Sequence, residues 1–468
     1  MDKKTKIIAT VGPASDSEAV LEQMIIQGVD IFRFNLKHNS FEWHRNTIKR
    51  LREVAKKIKK RVAVMVDFQG PEIRVETKDG EDVEIKKGDY FWIGSRFRDN
   101  KIIIKANPTS VVKFIKKGEK IFLNDGDVEL TVIKKDLYGA KVRAESDFVV
   151  KNRKSLNLLS EEIRLPILAD RDKEAMVRID EIKPDYIALS FVRDRRDIEV
   201  LKELLKKMNL PIKVIGKIEN MRAIKYIDEI ISASDGIMIA RGDLGIEVPT
   251  RELAFWQKKI IDLCRIDSKP VIVATQMLIS MVKNNRPSRA EATDVSNAIF
   301  DETDALMLSE ETSKGKHPIK VIKEMKDIAY FSENTDIVRQ LEIEANNATE
   351  VLVDAAVKIV NNNKNLKIGA VIIFTQSGNT ARIFSRYRLN LPVVAVTDKK
   401  DSLKGMMISY GVKPILKKFG KTSFKMPKKL IEELVNNDLI KRGDNLLVIH
   451  GNNWMESGST SDISLVTV

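Results

Sequence analysis

The sequence predicts an α/β fold in which a (β/α)8 TIM barrel is interrupted by an inserted small β-barrel domain and followed by a C-terminal α/β domain. Eight short apolar runs alternate with amphipathic segments, which indicates parallel strands joined by helices. A long interval after the third run has strand-like runs and turns instead, and a second alternation begins after the eighth run. Eight consecutive β/α units close into a barrel, so these two departures mark further domains.

The predicted barrel strands lie in two blocks of the chain, one on each side of the insertion. We place the barrel at residues 1–70 and 165–333 and its last helix at residues 318–333. The segments between the strands repeat apolar side chains at helical spacing. The predicted strands are residues 6–11, 31–36, 62–67, 186–192, 212–218, 236–240, 271–276 and 305–308.

The insertion, residues 71–164, is predicted to be all β. Its short apolar runs are separated by Gly-Asp and Asn-Asp-Gly turns, which favour hairpins. Because the insertion follows the end of a barrel strand, we expect it to stand at the rim of the barrel and to act as a lid.

The C-terminal domain, residues 348–468, follows a polar linker at residues 334–347. Its pattern again alternates between helix and strand, which indicates a separate α/β unit. The predicted helices are residues 350–360, 380–388 and 402–410, and the predicted strands are residues 370–375, 393–397, 445–450 and 464–468.

The chain carries a net charge of +14. One interpretation is that this charge attracts phosphorylated metabolites or nucleic acid. The other is that it belongs to a lysine-rich surface exposed to solvent. The lysines are scattered and aromatic residues are scarce, so we expect no nucleic-acid partner.

No apolar run is long enough to span a bilayer, and a strand begins almost at residue 1. We therefore expect a cytoplasmic protein with no membrane partner. Cys264 is the single cysteine, which excludes a disulfide within the chain.

Residues 212–245 combine a lysine and two carboxylates at the ends of two neighbouring predicted strands. Lys217 and Glu219 are two residues apart, so an extended chain points them to the same side. The next strand ends at Arg-Gly-Asp-Leu-Gly, which brings Asp243 to the same rim. The two carboxylates suit Mg²⁺ or Mn²⁺, and the ammonium suits a phosphoryl oxygen. A structural ion pair that caps two strands is the alternative.

Other predicted strands also end in polar side chains. Arg33, Asn35 and Lys37 alternate along the second strand and therefore face one way. Arg33 suits bidentate contacts with phosphate, and Asn35 offers an oxygen to a cation or a donor to phosphate. Asp67 ends the third strand. Thr275 follows the seventh apolar run, where its hydroxyl serves a substrate or caps a helix.

These strand ends collect cations, carboxylates and one hydroxyl at the mouth of one barrel. Arg74 is a further phosphate candidate or an exposed hinge arginine. Ser190 and Arg193 follow the fourth strand, which offers them a place at the rim, although we rather expect a surface pair between Arg193 and Asp194. The four histidines are dispersed and no Ser-His-Asp or Cys-His set is present. This inventory favours phosphoryl transfer, in which positioning and charge neutralisation dominate.

The C-terminal domain contains the stretch TQSGNTAR between a predicted strand and a predicted helix. The hydroxyls and backbone N–H groups of Thr375, Ser377, Gly378 and Thr380 suit a phosphate at a helix N-terminus. A plain helix cap is the alternative.

Together these motifs resemble the pyruvate kinase family over nearly the whole chain. The resemblance implies a barrel, a mobile lid and a regulatory C-terminal domain. It implies transfer of the phosphoryl group of phosphoenolpyruvate to ADP, giving pyruvate and ATP, the last step of glycolysis. It also implies Mg²⁺ or Mn²⁺, K⁺, a phosphorylated effector and a homotetramer. The matching stretches are KIIATVGPAS, FRFNLKH, GPEIR, LNDG, IGKIEN, SDGIMIARGDLG, ATQML, RPSRAEATDVSNAI and LMLSEETSKG.

The resemblance also implies roles for single residues. Lys217 resembles the lysine that neutralises the transferring phosphoryl group and the enolate, and Arg33 resembles an arginine that contacts phosphates. Thr275 resembles the hydroxyl near the substrate carboxylate, which the backbone of Gly242 and Asp243 is expected to hold. The remaining implied sites are Glu219 and Asp243 for Mg²⁺, Asn35 and Asp67 for K⁺, Arg33, Asn35, His38, Arg74, Asp125 and Lys154 for the nucleotide, and Thr375, Gln376, Ser377, Gly378 and Thr380 for the effector.

The chain departs from the family pattern at several positions. Lys37 replaces a serine that helps to bind K⁺, Phe68-Gln69 replaces Thr-Lys, Asn124 replaces an aspartate and Glu310 replaces a glycine.

Lys37 leads to a hypothesis about K⁺. Its ammonium would occupy or border the K⁺ site, held by Asp67 and Asn35, so that the enzyme needs little or no added K⁺. A solvent-directed Lys37 is the alternative. Glu72 favours a K⁺ requirement, because K⁺-independent relatives commonly have lysine at that position.

Two other functions stay open from the sequence. One is a catalytically diverged relative that senses sugar phosphates, and the other is a nucleic-acid-binding protein suggested by the net charge. The joint presence of five site residues favours the enzyme: Arg33, Lys217, Glu219, Asp243 and Thr275.

Overall fold

The computed structural model describes residues 3–97, 102–158, 160, 163, 165–335, 337, 341–362, 366–418, 427–437, 439–451, 458 and 460–468. Residue 164, the predicted end of the insertion, lies outside them, as do residues 336 and 338–340 of the predicted linker. Within the described part of the chain, no helix combines the length and apolar character needed to cross a membrane.

The first part of the barrel contains three strands and two helices whose ends follow local capping rules. The Ser17 hydroxyl accepts the Val20 N–H at the start of the first helix, and Gly28, with a φ of 103°, ends that helix in the left-handed region. Ser40 begins the second helix in the same way. The elements are β1 (Lys6–Thr10), α1 (Glu18–Gln27), β2 (Ile31–Asn35), α2 (Phe41–Lys57) and β3 (Ala63–Asp67).

The described residues of the insertion form strands and two 3₁₀ turns, Lys78–Gly80 and Thr109–Phe114, which confirms the all-β prediction. One sheet has seven strands in the order β12-β8-β9-β10-β6-β7-β4, and β5 pairs with β11. The insertion has its own apolar core. Its strands are β4 (Arg74–Thr77), β5 (Val83–Ile85), β6 (Tyr90–Gly94), β7 (Ile102–Asn107), β8 (Lys120–Leu123), β9 (Val128–Lys135), β10 (Gly139–Ala144), β11 (Phe148–Val150) and β12 (Leu156–Leu158).

The second part of the barrel returns to alternating helices and strands, with one 3₁₀ turn at Ile279–Val282. The elements are α3 (Asp170–Val177), α4 (Ile179–Ile182), β13 (Tyr186–Leu189), α5 (Arg195–Lys207), β14 (Lys213–Ile218), α6 (Met221–Lys225), α7 (Ile227–Ala233), β15 (Gly236–Ala240), α8 (Arg241–Glu247), α9 (Thr250–Ile266), β16 (Val271–Ala274), α10 (Arg289–Phe300), β17 (Ala305–Leu308), α11 (Glu310–Ser313) and α12 (Pro318–Glu333).

Eight parallel strands close into a barrel in the order β1-β17-β16-β15-β14-β13-β3-β2, so the predicted fold class is confirmed. Every predicted barrel strand overlaps an observed one. Because the strands are buried on both faces, their side chains are apolar on both: one set fills the interior and the other packs against the helices. The carboxyl ends of all eight strands therefore meet at one mouth.

The C-terminal domain has a five-stranded sheet in the order β20-β19-β18-β21-β22. The sequence reading missed β20 and α16. Pro414 lies inside β20 and removes a backbone donor, which an edge strand tolerates. The elements are α13 (Ala348–Asn362), β18 (Ile368–Phe374), α14 (Asn379–Ser385), β19 (Val393–Thr397), α15 (Lys400–Met406), β20 (Val412–Leu416), α16 (Lys428–Asn436), β21 (Asn445–Gly451) and β22 (Thr460–Thr467).

The C-terminal domain also closes the amino end of the barrel. The predicted helix at residues 402–410 stops at Met406, and Met407 and Ile408 pack with the side chains of the barrel interior. Burying these two side chains against the barrel replaces the last helical turn that periodicity alone predicted.

Candidate active site

The mouth of the barrel holds a buried network built on Asp67, the last residue of β3. Arg33 Nε donates to Asp67 Oδ2 at 2.7 Å, and Arg33 Nη1 donates to Thr10 Oγ1 at 2.9 Å. Burial alone would raise the pKa of Asp67, but the charges of Lys217 and Arg33 outweigh burial and hold that pKa below its usual value. Asp67 is therefore an ionised carboxylate that fixes Arg33 and Lys217 in place.

Lys217 extends from β14 into the same network. Its Nζ donates to Ser190 Oγ at 2.7 Å and lies 2.8 Å from Glu219 Oε1 and 3.3 Å from Asp67 Oδ1. Burial alone would lower the pKa of Lys217, but Asp67 and Glu219 more than offset it, so the pKa lies above its usual value. Lys217 is therefore a permanent cation held by three oxygen atoms.

Glu219 is a buried carboxyl, Asp243 is a half-buried one, and both have pKa values above the usual range. Glu219 is 1% exposed, and its Oε2 accepts the Phe191 N–H at 2.6 Å. Burial raises the pKa of Glu219 to about 7 despite Lys217, and the charge of Asp243 adds to the rise. Burial also raises the pKa of Asp243, although Lys217 and Lys37 act against it. Both carboxyls would gain from a further cation.

This pair fits a hard divalent cation. Mg²⁺ commonly takes one or two protein carboxylates and completes its shell with water and substrate oxygens. Among the residues that the structure describes, no cluster of three or more His, Cys, Asp or Glu side chains is arranged to hold a metal ion. Glu219 and Asp243 would therefore bind a cation together with oxygen ligands from substrate and water.

Thr275 lies in a strained turn at the end of β16. Thr275 and Gln276 have φ values of 71° and 56°, in the left-handed region that few non-glycine residues occupy. Thr275 Oγ1 accepts the Gly242 N–H at 2.9 Å, and the Thr275 carbonyl accepts Arg241 Nη2–H at 2.9 Å. The Thr275 hydroxyl thus contacts the backbone that the family resemblance assigns to a substrate carboxylate, and a bound carboxylate would share or replace this hydrogen bond.

Lys37 does not take the position that we hypothesised. Its Nζ lies 2.7 Å from Glu72 Oε1, while Asn35 Oδ1 accepts the Lys37 backbone N–H at 3.0 Å. Arg74 pairs with the other carboxylate oxygen of Glu72. The predicted Lys37–Asp67 contact is wrong because two other cations already bind Asp67. The alternative of a lysine directed to solvent is also wrong, since Lys37 is ion-paired.

The nucleotide-side residues are only partly assembled. Burial and the Lys37 charge lower the pKa of the His38 side chain. The backbone N–H of His38 donates to the Asn35 carbonyl at 3.2 Å. Asp125 Oδ1 accepts the Ser155 hydroxyl at 2.7 Å, and the Asp125 charge contributes to the raised pKa of Asp243. For Lys154 the structure gives a backbone contact inside the insertion, from Val75 N–H to its carbonyl at 2.9 Å.

The insertion packs against α8, and a cavity of about 150 Å³ that is open to solvent lies between the insertion and the barrel. Gly126, at the tip of the β8–β9 turn, is so close to the barrel that a Cβ there would lie 2.8 Å from Ile246 Cγ1. Burial raises the pKa of Glu247 in this cavity to about 7. The cavity lining includes Asp125, Leu156 and Leu158 from the insertion and Met221, Asp243 and Glu247 from the barrel.

Sequence reasoning missed several of these contacts. It gave no role to Thr10, and it placed Ser190 at the end of the fourth strand without predicting its contact with Lys217. It paired Arg193 with Asp194, which is wrong: Arg193 Nη2 lies 2.8 Å from Asp197 Oδ1, while Asp194 accepts the Arg196 N–H and begins α5. The i, i+4 spacing of Arg193 and Asp197 was the signal for the observed pair.

The TQSGNTAR loop lies between β18 and α14, as predicted. Thr375 Oγ1 accepts the Gly378 N–H at 3.0 Å, and Ser377 Oγ accepts the Asn379 N–H at 3.3 Å. Thr380 Oγ1 lies 2.9 Å from Thr460 Oγ1. Gln376 accepts the Ser402 hydroxyl through its carbonyl at 2.5 Å. The loop hydroxyls therefore cap the turn in this structure.

Comparison with known proteins identifies the family. The model of the pyruvate kinase barrel domain matches residues 2–322, and the model of the pyruvate kinase alpha/beta domain matches residues 350–466. The chain belongs to the pyruvate kinase family. Pyruvate kinases are phosphotransferases, and the buried cations at the mouth of this family member agree with such chemistry.

Relatives and a solved structure support this assignment. The chain is 35% identical over 477 residues to pyruvate kinases from Staphylococcus aureus strains MRSA252 and USA300, covering 98% of this chain and 79% of each relative. A crystal structure of a pyruvate kinase from Cryptosporidium parvum superposes with a TM-score of 0.91 at 30% identity, over 99% of this chain and 96% of that one.

Proposed function

We propose that this member of the pyruvate kinase family transfers the phosphoryl group of phosphoenolpyruvate to ADP and forms pyruvate and ATP. The observation that carries the proposal is the buried network of Arg33, Asp67 and Lys217 beside two carboxyls with raised pKa values. Phosphoryl transfer requires positioned positive charge more than covalent chemistry from the protein. The network supplies that charge in a fixed geometry.

Arg33 and Lys217 are assigned to the phosphoryl group itself. Asp67 binds both of them, so their positions are set before substrate arrives and little reorganisation is needed during transfer. The Lys217 ammonium also stabilises the enolate oxygen that remains when the P–O bond breaks. The enolate carbon then takes a proton from water or through the Thr275 hydroxyl. The backbone of Gly242 and Asp243 is assigned to the substrate carboxylate.

Glu219 and Asp243 are assigned to Mg²⁺ or Mn²⁺. A bound divalent cation neutralises charge on the phosphoryl and enolate oxygens. The nucleotide is assigned to Arg33, Asn35, His38, Arg74, Asp125 and Lys154.

The residues near Lys37 do not fit a K⁺ ion. Asp67 already binds two cations, Asn35 Oδ1 accepts a backbone N–H, and Phe68 has no hydroxyl to offer. Lys37 instead places an ammonium 2.7 Å from Glu72. We infer that the enzyme works without added K⁺, because the Lys37 ammonium neutralises Glu72, the residue whose charge favours a K⁺ requirement.

The other expectations rest on the family. They are a phosphorylated effector at Thr375, Gln376, Ser377, Gly378 and Thr380, a homotetramer, a cytoplasmic location, and domain limits at 1–70 with 165–333, 71–164 and 348–468. The packing of Gly126 against Ile246 supports one of them, closure of the insertion over the mouth as a lid.

A turnover assay tests the proposed reaction. Purified protein is supplied with phosphoenolpyruvate, ADP and Mg²⁺, and pyruvate is measured through lactate dehydrogenase and NADH. We expect turnover that requires all three components and is lost in Glu219→Gln. Glu229→Gln, an exposed carboxylate on α7, is the matched control and should retain activity. Absence of turnover with retained binding of sugar phosphates would contradict the proposal and favour a sensor.

A further inference from the structure

Both connections between the barrel and the insertion meet at one buried carboxylate, that of Asp172. Asp172 lies in the first turn of α3 and is 0% exposed. Its Oδ1 accepts the Gln69 N–H at 2.8 Å, and its Oδ2 accepts the Gly70 N–H at 2.9 Å. The same Oδ2 accepts the Ala169 N–H at 3.0 Å. Gln69 and Gly70 lead into the insertion and Ala169 follows it, so one side chain joins both connections.

These hydrogen bonds join backbone N–H groups to a buried carboxylate and therefore hold two chain segments in place. Burial raises the pKa of Asp172, and the N–H groups of Gly70, Gln69 and Ala169 act against that rise. Hydrogen bonds from backbone N–H groups to a carboxylate are shorter and stronger than those between neutral groups. Loss of one partner would leave buried donors unsatisfied, which is costly. The two connections are thus coupled through Asp172.

The outgoing connection has little freedom to move at Gly70. Its φ of 71° lies in the left-handed region, and a Cβ on Gly70 would lie 2.8 Å from Ser190 Cβ. Ser190 in turn donates to the Phe68 carbonyl at 2.8 Å and accepts from Lys217 Nζ. Movement of the insertion must therefore begin beyond Gly70, because movement at Gly70 would displace the residues that hold Lys217.

The returning connection is fixed in a similar manner. Arg193 Nη1 donates to the Leu165 carbonyl at 2.8 Å, and Asp197 binds the same guanidinium through both oxygens. Downstream of this contact, the Ala169 N–H reaches Asp172. Both ends of the insertion therefore leave from fixed points on the barrel.

We propose that Asp172 is the shared anchor of the two connections and sets the orientation from which the insertion closes over the mouth. Asp172 is a positioning residue. Through Gly70 it sets the placement of Glu72, whose N–H donates to the Gly70 carbonyl at 3.0 Å. Through the orientation of the insertion it sets the placement of Asp125 near Asp243. The kinetic part of this inference rests on the proposed function, since it requires that closure of the insertion orders the nucleotide side of the site.

Hydrogen–deuterium exchange of the full chain without substrate tests the anchor independently of activity. The variants are Asp172→Asn, which keeps one acceptor oxygen, and Asp172→Ala, which keeps none. Asp170→Asn is the matched control, because the Asp170 side chain is on the same helix and 95% exposed. We expect exchange at residues 69–70 and at residue 169 to be about tenfold faster in Asp172→Asn, faster still in Asp172→Ala, and unchanged in the control.

The distribution of the exchange decides between an anchor and general support of the fold. Exchange in β9 of the insertion and β14 of the barrel should stay as in the wild type. Unchanged exchange at both connections in Asp172→Asn would overturn the proposal. A rise of equal size throughout the barrel would also overturn it, since that result describes a core residue. If Asp172→Ala fails to fold, the comparison of Asp172→Asn with Asp170→Asn still decides.

Steady-state kinetics tests the consequence for the site. We expect the KM for ADP to rise about fivefold in Asp172→Asn, while kcat changes by less than about twofold, because the insertion carries nucleotide contacts but not the phosphoryl-binding cations. Equal losses in kcat and in kcat/KM without a change in KM would overturn the positioning role. A wild-type protein without turnover would contradict the proposed function, whereas the exchange measurement would still decide the anchor.

Discussion

The two ends of the barrel both bury charged side chains, but they do so in opposite ways. At the amino end, Arg388 binds Asp304 through both carboxylate oxygens at 3.0 and 2.8 Å, and Lys404 lies 2.6 Å from Asp185. At the carboxyl end, Glu219 keeps a pKa raised to about 7 although Lys217 lies 2.8 Å away. The charges of Arg388 and Asp304 are matched, whereas Glu219 and Asp243 at the mouth keep raised pKa values.

This difference separates structural charge from functional charge. Burial alone would lower the pKa of Arg388, but Asp304 outweighs it and raises that pKa, so the pair is stable without a ligand. The raised pKa values of Glu219 and Asp243 show the reverse, two carboxyls whose burial outweighs the nearby positive charge, as the proposed metal site requires. A matched buried ion pair thus lies at the interface with the C-terminal domain, and two carboxyls with raised pKa values lie in the candidate active site.

The largest expected effect comes from a substitution at the mouth of the barrel. Lys217→Met should lower turnover by about a thousandfold, roughly 4 kcal/mol in activation free energy, because a charge that meets the phosphoryl group is lost. Far-UV circular dichroism should show an intact fold. Lys213→Met, at the start of the same strand, is the control and should retain turnover. Substantial activity in Lys217→Met would overturn its assigned role.

The next largest effect comes from a substitution at the amino end of the barrel. Arg388→Met should reduce the free energy of unfolding by about 3 kcal/mol, because Asp304 stays buried without its partner. The folded enzyme should keep its kcat and KM within about twofold, since the substitution is at the far end of the barrel. Urea unfolding and steady-state kinetics measure the two quantities. A loss of activity as large as the loss of stability would contradict the division between the two ends.

A smaller effect concerns Glu247 in the cavity beneath the insertion. Burial raises its pKa from 4.5 to about 7, so between these pH values the folded chain holds a proton that the unfolded chain releases. Wild-type stability should therefore fall as pH rises through this window. Glu247→Gln does not titrate, so its stability relative to wild type should rise by about 2 kcal/mol between about pH 5 and about pH 8. A constant difference across that range, measured by urea unfolding without metal, would contradict the shifted pKa.

The smallest expected effect concerns Lys37 and K⁺. Wild-type turnover in tetramethylammonium buffer should match that in K⁺ buffer within about twofold, since the ammonium is built into the chain. Lys37→Met should lose about tenfold in kcat/KM, equivalent to roughly 1.4 kcal/mol, and Lys37→Arg should keep most of it. A strict K⁺ requirement in the wild type would refute the inference.

The sequence was a good guide to the fold because the barrel strands are short, apolar and evenly alternated with helices. It failed at β20, where a proline interrupts the pattern, and at Met407 and Ile408, whose burial depends on a domain remote in sequence. Alternation along a strand also brought Lys217 and Glu219 together correctly. It could not reveal that Lys37 pairs with Glu72, because side chains of that length choose among several carboxylates in three dimensions.

Asp172 shows the same limit. Its three partners come from segments separated from it by up to 103 residues, and all three are backbone N–H groups, which every residue but proline has. The residue types at these positions do not predict the hydrogen bonds to Asp172, so only the folded structure reveals them.

Mn²⁺ binding followed by electron paramagnetic resonance tests most directly whether Glu219 and Asp243 at the mouth form a divalent-metal site. We expect one Mn²⁺ per chain, with affinity that weakens as pH falls below about 7 because Glu219 then takes a proton. Glu219→Gln and Asp243→Asn should each abolish this binding, and Glu229→Gln should leave it unchanged. Wild-type affinity in both site variants would contradict the claim.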